Sequence, residues 1–495
     1  MKDAATAAGA LRSAAGLVFL GLLVWAPLNY GSTRAGGPEV LTAGCAAGTF
    51  LCTAAWALGR FRPQVPALAA GAAACFVVAV LPWSLGLYHP TPVSPFTQAH
   101  FNQVSARWPH SIVWRDRVNA GPLAVALVAA LLALTDLARA RGWLLAFSIA
   151  LVGTAALEAA LALAQSATAA PGIFWRNEGR LPGNFSGTFY HHTSAGAYFN
   201  TAWPLAVALT CLAWDRARSA PARATAAGLA GLAALLVLAG HASHVSRFPQ
   251  IAALLVAPFL LGGLGLLRRW RRRSVAVVAG SAVLLGGLIF ATGRTGEIIT
   301  RWQLVFAPEP AAAAVELPAP SQWPTLMRAD LFVPFTGSPG LFGVRREAWR
   351  TALRSIADRP FTGHGPANWI GAASQHSSDP LVRTFYQFLQ FAHQDTLQAA
   401  VEWGVAAALA WWALLIGGVV AVGRNRTVTD RTRRALGLAA GCGLAAVLLQ
   451  AQLDFPLQIP AVAFNAVVLA AIAWTGAPPP SHASVGLPAQ SHEQA

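Results

Sequence analysis

Charge is what this sequence has least of. Only 11% of its 495 residues are Asp, Glu, Lys or Arg, and 55% are hydrophobic. A soluble domain carries roughly 25% charged residues, so a water-facing surface of ordinary composition is excluded. Lysine is nearly absent: Lys2 is the only one, so the excess of 35 basic over 19 acidic side chains is arginine. In a soluble protein that balance would point to nucleic acid. Here the arginines fall between apolar runs, where they orient a membrane protein. The five cysteines, Cys45, Cys52, Cys75, Cys211 and Cys442, make no metal or redox motif. All lie in apolar segments and are expected as small buried hydrophobes. The N-terminal apolar run lacks a small-residue cleavage site, so a retained first helix is expected rather than a removed signal. Internal repeats, a separate soluble domain, a nucleotide-sugar fold and an acidic metal motif are also missing.

What is present is a series of long apolar runs, several of 18 residues or more, which calls for a membrane as solvent. The sequence predicts an all-α polytopic membrane protein of about twelve helices. They fall near 12–30, 38–59, 66–88, 119–138, 142–165, 194–214, 222–241, 247–267, 274–292, 395–421, 433–452 and 457–475. With the N-terminus cytoplasmic, the inner connections are RFR at 60, ARAR at 138, DRARSAPAR at 215, RRWRRR at 268 and RNRTVTDRTRR at 424. Each is short and rich in arginine, so both termini are expected inside. Residues 1–475 form one transmembrane domain in this reading. The Pro/Ser/Ala-rich tail 476–495 is expected to be disordered and cytoplasmic.

That topology sorts the outer face. A large loop spans 293–394, and shorter ones lie near 89–118, 166–193, 241–247 and 452–457. Within the large loop, RREAWRTALRSIADRP reads as an amphipathic helix. Ala348, Trp349, Ala352, Leu353 and Ile356 make one stripe; Arg346, Arg350, Arg354 and Asp358 lie off it. Pro360 ends the helix and TGHGP turns the chain. The helix either lids the bundle, lies in the interface, or offers its arginines to a substrate.

Some residues are odd for their place. Arg176, Arg180 and Arg247 are arginines in short outer loops, against the orientation rule. Arg247 opens an apolar helix, with few outer carboxylates near it in sequence. It either snorkels to lipid headgroups or binds an anion, and guanidinium takes phosphate in bidentate fashion. The segment WRNEGRLPGNFSGTFYHHTSAGAYFN, 175–200, has glycines and Arg180 just before a helix that Ser194 could cap, a pattern suited to an anion. Histidines gather on the same face: His191, His192, His241, His244, His364, His376 and His393. HASH at 241–244 matches no metal-ligand spacing, and no metal or cofactor is expected. His393, in FAHQDTLQAAVEWG, is placed for acid–base work, with an ordinary pKa of about 6.5. Glu402 and Asp454 are polar groups that could support it; packing or capping is the plainer role for both.

Four stretches carry a resemblance. RLPGNFSGTFYHHTSAGAYFN looks like an arginine followed by a Gly-Thr-Phe loop leading into a helix. SHVSRFPQIAALL resembles a Ser-Arg helix start. RREAWRTALRSIADRPFTGHGPANW is similar to a loop helix ending in Pro-x-x-Gly-x-Gly. AHQDTLQAAVEWG looks like Ala-His-Asn…Leu…Glu-x-Gly. In this order, over roughly 175–404, the chain resembles the O-antigen ligase / O-antigen polymerase superfamily, membrane glycosyltransferases with a large periplasmic loop. It departs at His191-His192, where the family often has asparagine after Gly-Thr-Phe, and at His393-Gln394, where the family usually has His-Asn.

The resemblance implies a GT-C-like fold in a bacterial inner membrane, with the active site on the periplasmic face. The implied donor is a glycan on undecaprenyl diphosphate. The implied acceptor is a hydroxyl: on a lipid A–core sugar for a ligase, on another glycan for a polymerase, on a protein for an O-glycosylating relative. Arg180 and Arg247 would hold the diphosphate, and His393 would take the acceptor's proton or orient the attack. Arg176, His191, His192, His244, Glu402 and Asp454 would support them. A transporter or lipid flippase is the rival of another class; it expects repeats, broken helices and midplane charges.

Overall fold

The computed structural model describes residues 2–60, 62–92, 120–176, 186–219, 224–244, 246–266, 343–376, 391–424 and 428–475, with a few single positions between 287 and 303. Every regular element among them is helical. The order is α1 (Lys2–Leu28), α2 (Gly37–Gly59), α3 (Ala67–Ser84), α4 (Ala120–Ala138), α5 (Arg141–Ala167), α6 (His192–Ser219), α7 (Ala224–Ser243) and α8 (Arg247–Gly263). Beyond residue 342 come α9 (Gly343–Asp358), α10 (Trp369–His376), α11 (Asp395–Trp403), α12 (Val405–Arg424), α13 (Arg431–Gln450) and α14 (Pro460–Trp474).

Eight of these, α1 to α5, α7, α12 and α13, are long and apolar enough to cross a membrane. The chain is therefore a polytopic α-helical membrane protein, with eight such helices among the described residues against the twelve expected. The span expected at 274–292, most of the loop 293–394 and the tail 476–495 lie outside the described residues. The shortfall has physical causes elsewhere. α6 has the length, but it carries Thr193, Asn200 and Thr201 into the bundle. α14 has 15 residues, all buried, and at 1.5 Å per residue reaches about 22 Å. It packs against α4, α6, α12 and α13 as a central pillar. Wrapped by protein, it has no need to match the bilayer.

The segment 395–421 is two helices, not one. Gly404 breaks it with φ 84° and ψ 162°. A Cβ there would lie 2.2 Å from the Phe361 carbonyl oxygen. The break matters because it frees carbonyls. Val401 O accepts from His364 N at 2.8 Å, Glu402 O accepts from Gly365 N at 3.0 Å, and Val405 N donates to Pro360 O at 2.8 Å. The TGHGP turn is thus bonded into the gap. His393 consequently opens a nine-residue helix packed on the outer loop, rather than a membrane span.

The stripe on α9 is also narrower than the sequence suggested. Ala348, Thr351, Ala352 and Ser355 are buried, while Leu353 is exposed. Small side chains let α9 approach α10 and α11 closely around Trp369, Ala372, Ala392 and Val401. The cysteines form no disulfide; Cys45, Cys52 and Cys442 are buried as expected, but Cys75 is exposed and Cys211 half-buried. Those two sit on helix faces turned out of the bundle.

Gly404→Ala is expected to cost at least roughly 1–3 kcal/mol through backbone strain alone, with the clash in addition. It should lower the thermal unfolding midpoint of the purified protein. Gly71→Ala, where a Cβ meets nothing within 4 Å, should not lower it.

Candidate active site

The start of α11 is clamped to the turn between α13 and α14. Gln394 caps α11, its side-chain oxygen accepting from Leu397 N at 2.5 Å. Asp395 N donates to Ala451 O at 2.8 Å. The buried Asp395 carboxylate accepts from Leu457 N and from Gln458 Nε2, both at 2.8 Å. With both ends of the turn fixed, Asp454 faces His393 across 61 residues of sequence, Nδ1 to Oδ1 at 3.3 Å. The pair is sheltered: the His393 side chain is 20% exposed and that of Asp454 2%. His393 takes φ 51°, a left-handed conformation rarely held by a non-glycine residue. Phe455 supports its ring edge-on at 4.9 Å, and Phe391 stacks on Phe455 at 4.4 Å.

Two more groups join this pair. His191, just before α6, packs near Phe455 and stacks on His192 at 4.3 Å. Arg345, in the first turn of α9, lies over the Phe248 ring at 4.7 Å, beside Arg247 at the start of α8. The starts of α6, α8, α9 and α11 therefore meet at one cluster. Helix N-termini carry partial positive charge, so the place favours an anion.

The electrostatics follow from burial and from one carboxylate. Burial lowers His393; its hydrogen bond to Asp454 works the other way, Arg345 adds to the lowering, and the net shift is downward. Burial works to raise Asp454, but the His393 hydrogen bond and the Arg345 charge outweigh it, and the carboxyl is held below its usual value. Burial brings His191 down to about 4. At neutral pH the cluster is a neutral His393, an ionised Asp454 and a cationic Arg345. The Asp454 carboxylate accepts a hydrogen bond from Nδ1–H, which leaves the Nε2 lone pair of His393 free as a base.

Other residues singled out from the sequence have different places. Glu402 does not touch His393. Its carboxylate accepts from Ala367 N at 2.9 Å and from Gln398 Nε2 at 2.8 Å. Gln398 in turn accepts from Ala392 N at 2.9 Å, so Glu402 holds the residue next to His393 through one intermediary. His244 is buried, its Nδ1 accepting from Ser246 N at 3.2 Å, and shapes the start of α8. Arg247 is half-buried at the first position of α8, and Arg176 is exposed after the short turn Ile173–Trp175. Arg180 lies outside the described residues.

Sequence reasoning missed Arg345 and Glu158. Arg345 stands three residues before Ala348 on the stripe that α9 buries, so its spacing was a signal. Glu158 was a lone acid in an apolar run. It accepts from Thr188 N at 3.1 Å and from Thr188 Oγ1 at 2.6 Å, fixing the Gly-Thr-Phe loop to α5. Gly187 must be glycine for this: its φ is +60°, and a Cβ would lie 2.7 Å from the Glu158 carboxylate.

Residues 229–412 match the sequence family described as O-antigen ligase. The match contains Arg247, Arg345, His393 and Glu402, and three of the four stretches that carry the resemblance. The Gly-Thr-Phe stretch and Asp454 fall outside it. No curated protein matches the chain.

Glu402→Ala would leave the Ala367 N–H and the Gln398 amide without their acceptor, at a cost of about 1–3 kcal/mol. A lower unfolding midpoint is expected; an unchanged one would contradict the tethering role.

Proposed function

Since residues 229–412 carry the O-antigen ligase family region, we propose that the chain is a ligase-type membrane glycosyltransferase, with the cluster around His393 as its reaction centre. The donor is a glycan on undecaprenyl diphosphate, and the acceptor is a hydroxyl of a lipid A–core sugar. The protein works in a bacterial inner membrane with both termini in the cytoplasm and the cluster facing the periplasm. The observation that carries the reading is the His393–Asp454 pair at 3.3 Å within reach of the Arg345 charge.

The chemistry follows from that arrangement. The acceptor hydroxyl gives its proton to His393 Nε2 as its oxygen attacks the anomeric carbon. The bond from that carbon to the diphosphate breaks, and undecaprenyl diphosphate leaves. Asp454 holds the imidazole in the required tautomer and offsets the charge the ring gains. The leaving group needs charge stabilisation more than a proton. Arg247, Arg180 and Arg345, aided by four helix starts, supply it where water is scarce. One displacement inverts the anomeric configuration, and no step uses a metal or cofactor. Polar groups gathered at helix starts, rather than at the midplane, favour this over transport.

The test is release of free undecaprenyl diphosphate by purified protein in lipid, offered lipid A–core, free glycan and peptide as acceptors. Lipid A–core is the acceptor expected to support release. Release with free glycan alone would make the chain a polymerase, with peptide alone a protein O-glycosyltransferase. No release with any would end the proposal.

His393→Ala should reduce turnover by about 10²- to 10⁴-fold, the usual worth of a positioned base. In wild type the acidic limb of kcat/KM should lie below about 6.5, because the lowered His393 loses its proton below the ordinary histidine value. Asp454→Asn should slow the reaction and move that limb further to acid, since the carboxylate is what raises His393. Arg345→Ala should weaken use of the donor by about 10- to 100-fold, the loss of a charged hydrogen bond. The exposed Arg346→Ala should change little.

A further inference from the structure

The outer segment holds a second cluster that the transfer reaction leaves unused. Asp358 ends α9, His364 lies in the TGHGP turn and His376 ends α10. One ligand atom from each lies within 4.8 Å of the others. Asp358 Oδ2 is 3.9 Å from His364 Nε2 and 3.5 Å from His376 Nε2. The two rings meet edge to face at 5.3 Å. Zinc with ligands at about 2.0–2.1 Å holds tetrahedral donor atoms about 3.3 Å apart. Two edges of the triangle are close to that spacing. Rotation of Asp358 and His376 closes the third, because no hydrogen bond ties either side chain among the described residues.

The state of the two histidines points the same way. His376 Nε2 is buried and has no hydrogen-bond partner among the described residues, an expense that a ligand would remove. His364 is fully buried, with Nδ1 2.8 Å from Thr91 Oγ1 and Nε2 2.8 Å from Ser355 O. Ligation by Nε2 requires the ring to swing that nitrogen off Ser355 O and toward Asp358, which gives up the second contact. Ser355 O keeps its helical partner, Arg359 N at 3.1 Å. Thr91 Oγ1 then accepts from Nδ1–H, the outer partner that orients a metal-bound imidazole. Burial lowers His364, so the ring is neutral, the form that binds a metal.

We propose that Asp358, His364 and His376 form a site for one divalent transition ion of the zinc class, with water completing the coordination on the open side of Asp358. Two imidazoles and one carboxylate suit zinc over magnesium or calcium. Asp358 lies thirteen residues beyond Arg345 on one helix, about 20 Å along its axis. The ion therefore touches no reacting atom. It staples the far end of α9 to the turn bonded into the Gly404 break and to α10, and so fixes the helix that carries Arg345. The site stands whether or not the transferase reading does.

The experiment uses untagged full-length protein in detergent, stripped with a chelator and titrated with zinc chloride by calorimetry, with thermal unfolding read in parallel. Expected are one zinc per chain and a higher unfolding midpoint with zinc. Magnesium and calcium should give neither. His376→Ala and Asp358→Asn should each weaken binding by at least about tenfold and remove the zinc-dependent shift. Both should leave the metal-free midpoint unchanged, since neither side chain is hydrogen-bonded among the described residues. Wild type that takes up no zinc would overturn the proposal. So would variants that bind as wild type does, or binding lost in His241→Ala but kept in His376→Ala.

Discussion

A carboxylate buried in an apolar helix bundle must be given donors, and in this protein that requirement sets the position of the outer loops. An unpaired buried charge costs several kcal/mol, so each acid dictates which backbone comes to it. Glu158 on α5 draws in Thr188 and with it the segment that carries His191. Asp395 draws in Leu457 and Gln458, which sets Asp454 beside His393. Glu402 draws in Ala367, the end of the TGHGP turn. At the other end of α1 the same logic holds: Asp136 takes Trp56 Nε1 and Gln64 N at 3.0 Å and pairs with Arg12 at 2.6 Å.

These tethers make the proposed chemistry a matter of geometry. Four helices begin at one place, and each contributes the positive end of its dipole and a side chain near its first turn. Aromatic rings fill the space between. Phe455 backs both His393 and His191, and Phe248 carries Arg345. A base, the carboxylate that orients it and a cation are therefore held by packed elements, as a reaction centre requires.

The sequence exposed the parts of this arrangement better than their meeting. Apolar runs located α1, α2, α4 and α5 to within a few residues at most ends, because length and hydropathy are local properties; α1 begins ten residues before the expected span, since helix continues through the alanine-rich head KDAATAAGA. Gly404 was invisible as a break, since the residues beyond it continue an apolar run and the reason for the break lies in Phe361, far away in sequence. His393 and Asp454 could be picked out as polar groups on one face. That they touch depends on Asp395, whose tie to Leu457 no spacing reveals. Arg345 was hidden by its neighbours: of the arginines in RREAWRTALR it is the one in phase with Ala348 and Ala352, on a stripe narrower than hydrophobicity alone suggested. The histidine spacing that drew notice, HASH, brings two buried rings to 5.0 Å. The triad with ligand geometry comes from positions 358, 364 and 376, joined by a turn and two helix ends.

The most direct test of the central claim is the anomeric configuration of the product. Purified protein would be given a lipid-linked glycan of known configuration with an acceptor, and the new linkage read by NMR. A linkage inverted relative to the donor is expected, because one base-assisted displacement at His393 allows no other outcome. A retained configuration would require two displacements, with a side chain such as Asp454 acting as nucleophile rather than orienting His393, and would contradict the account.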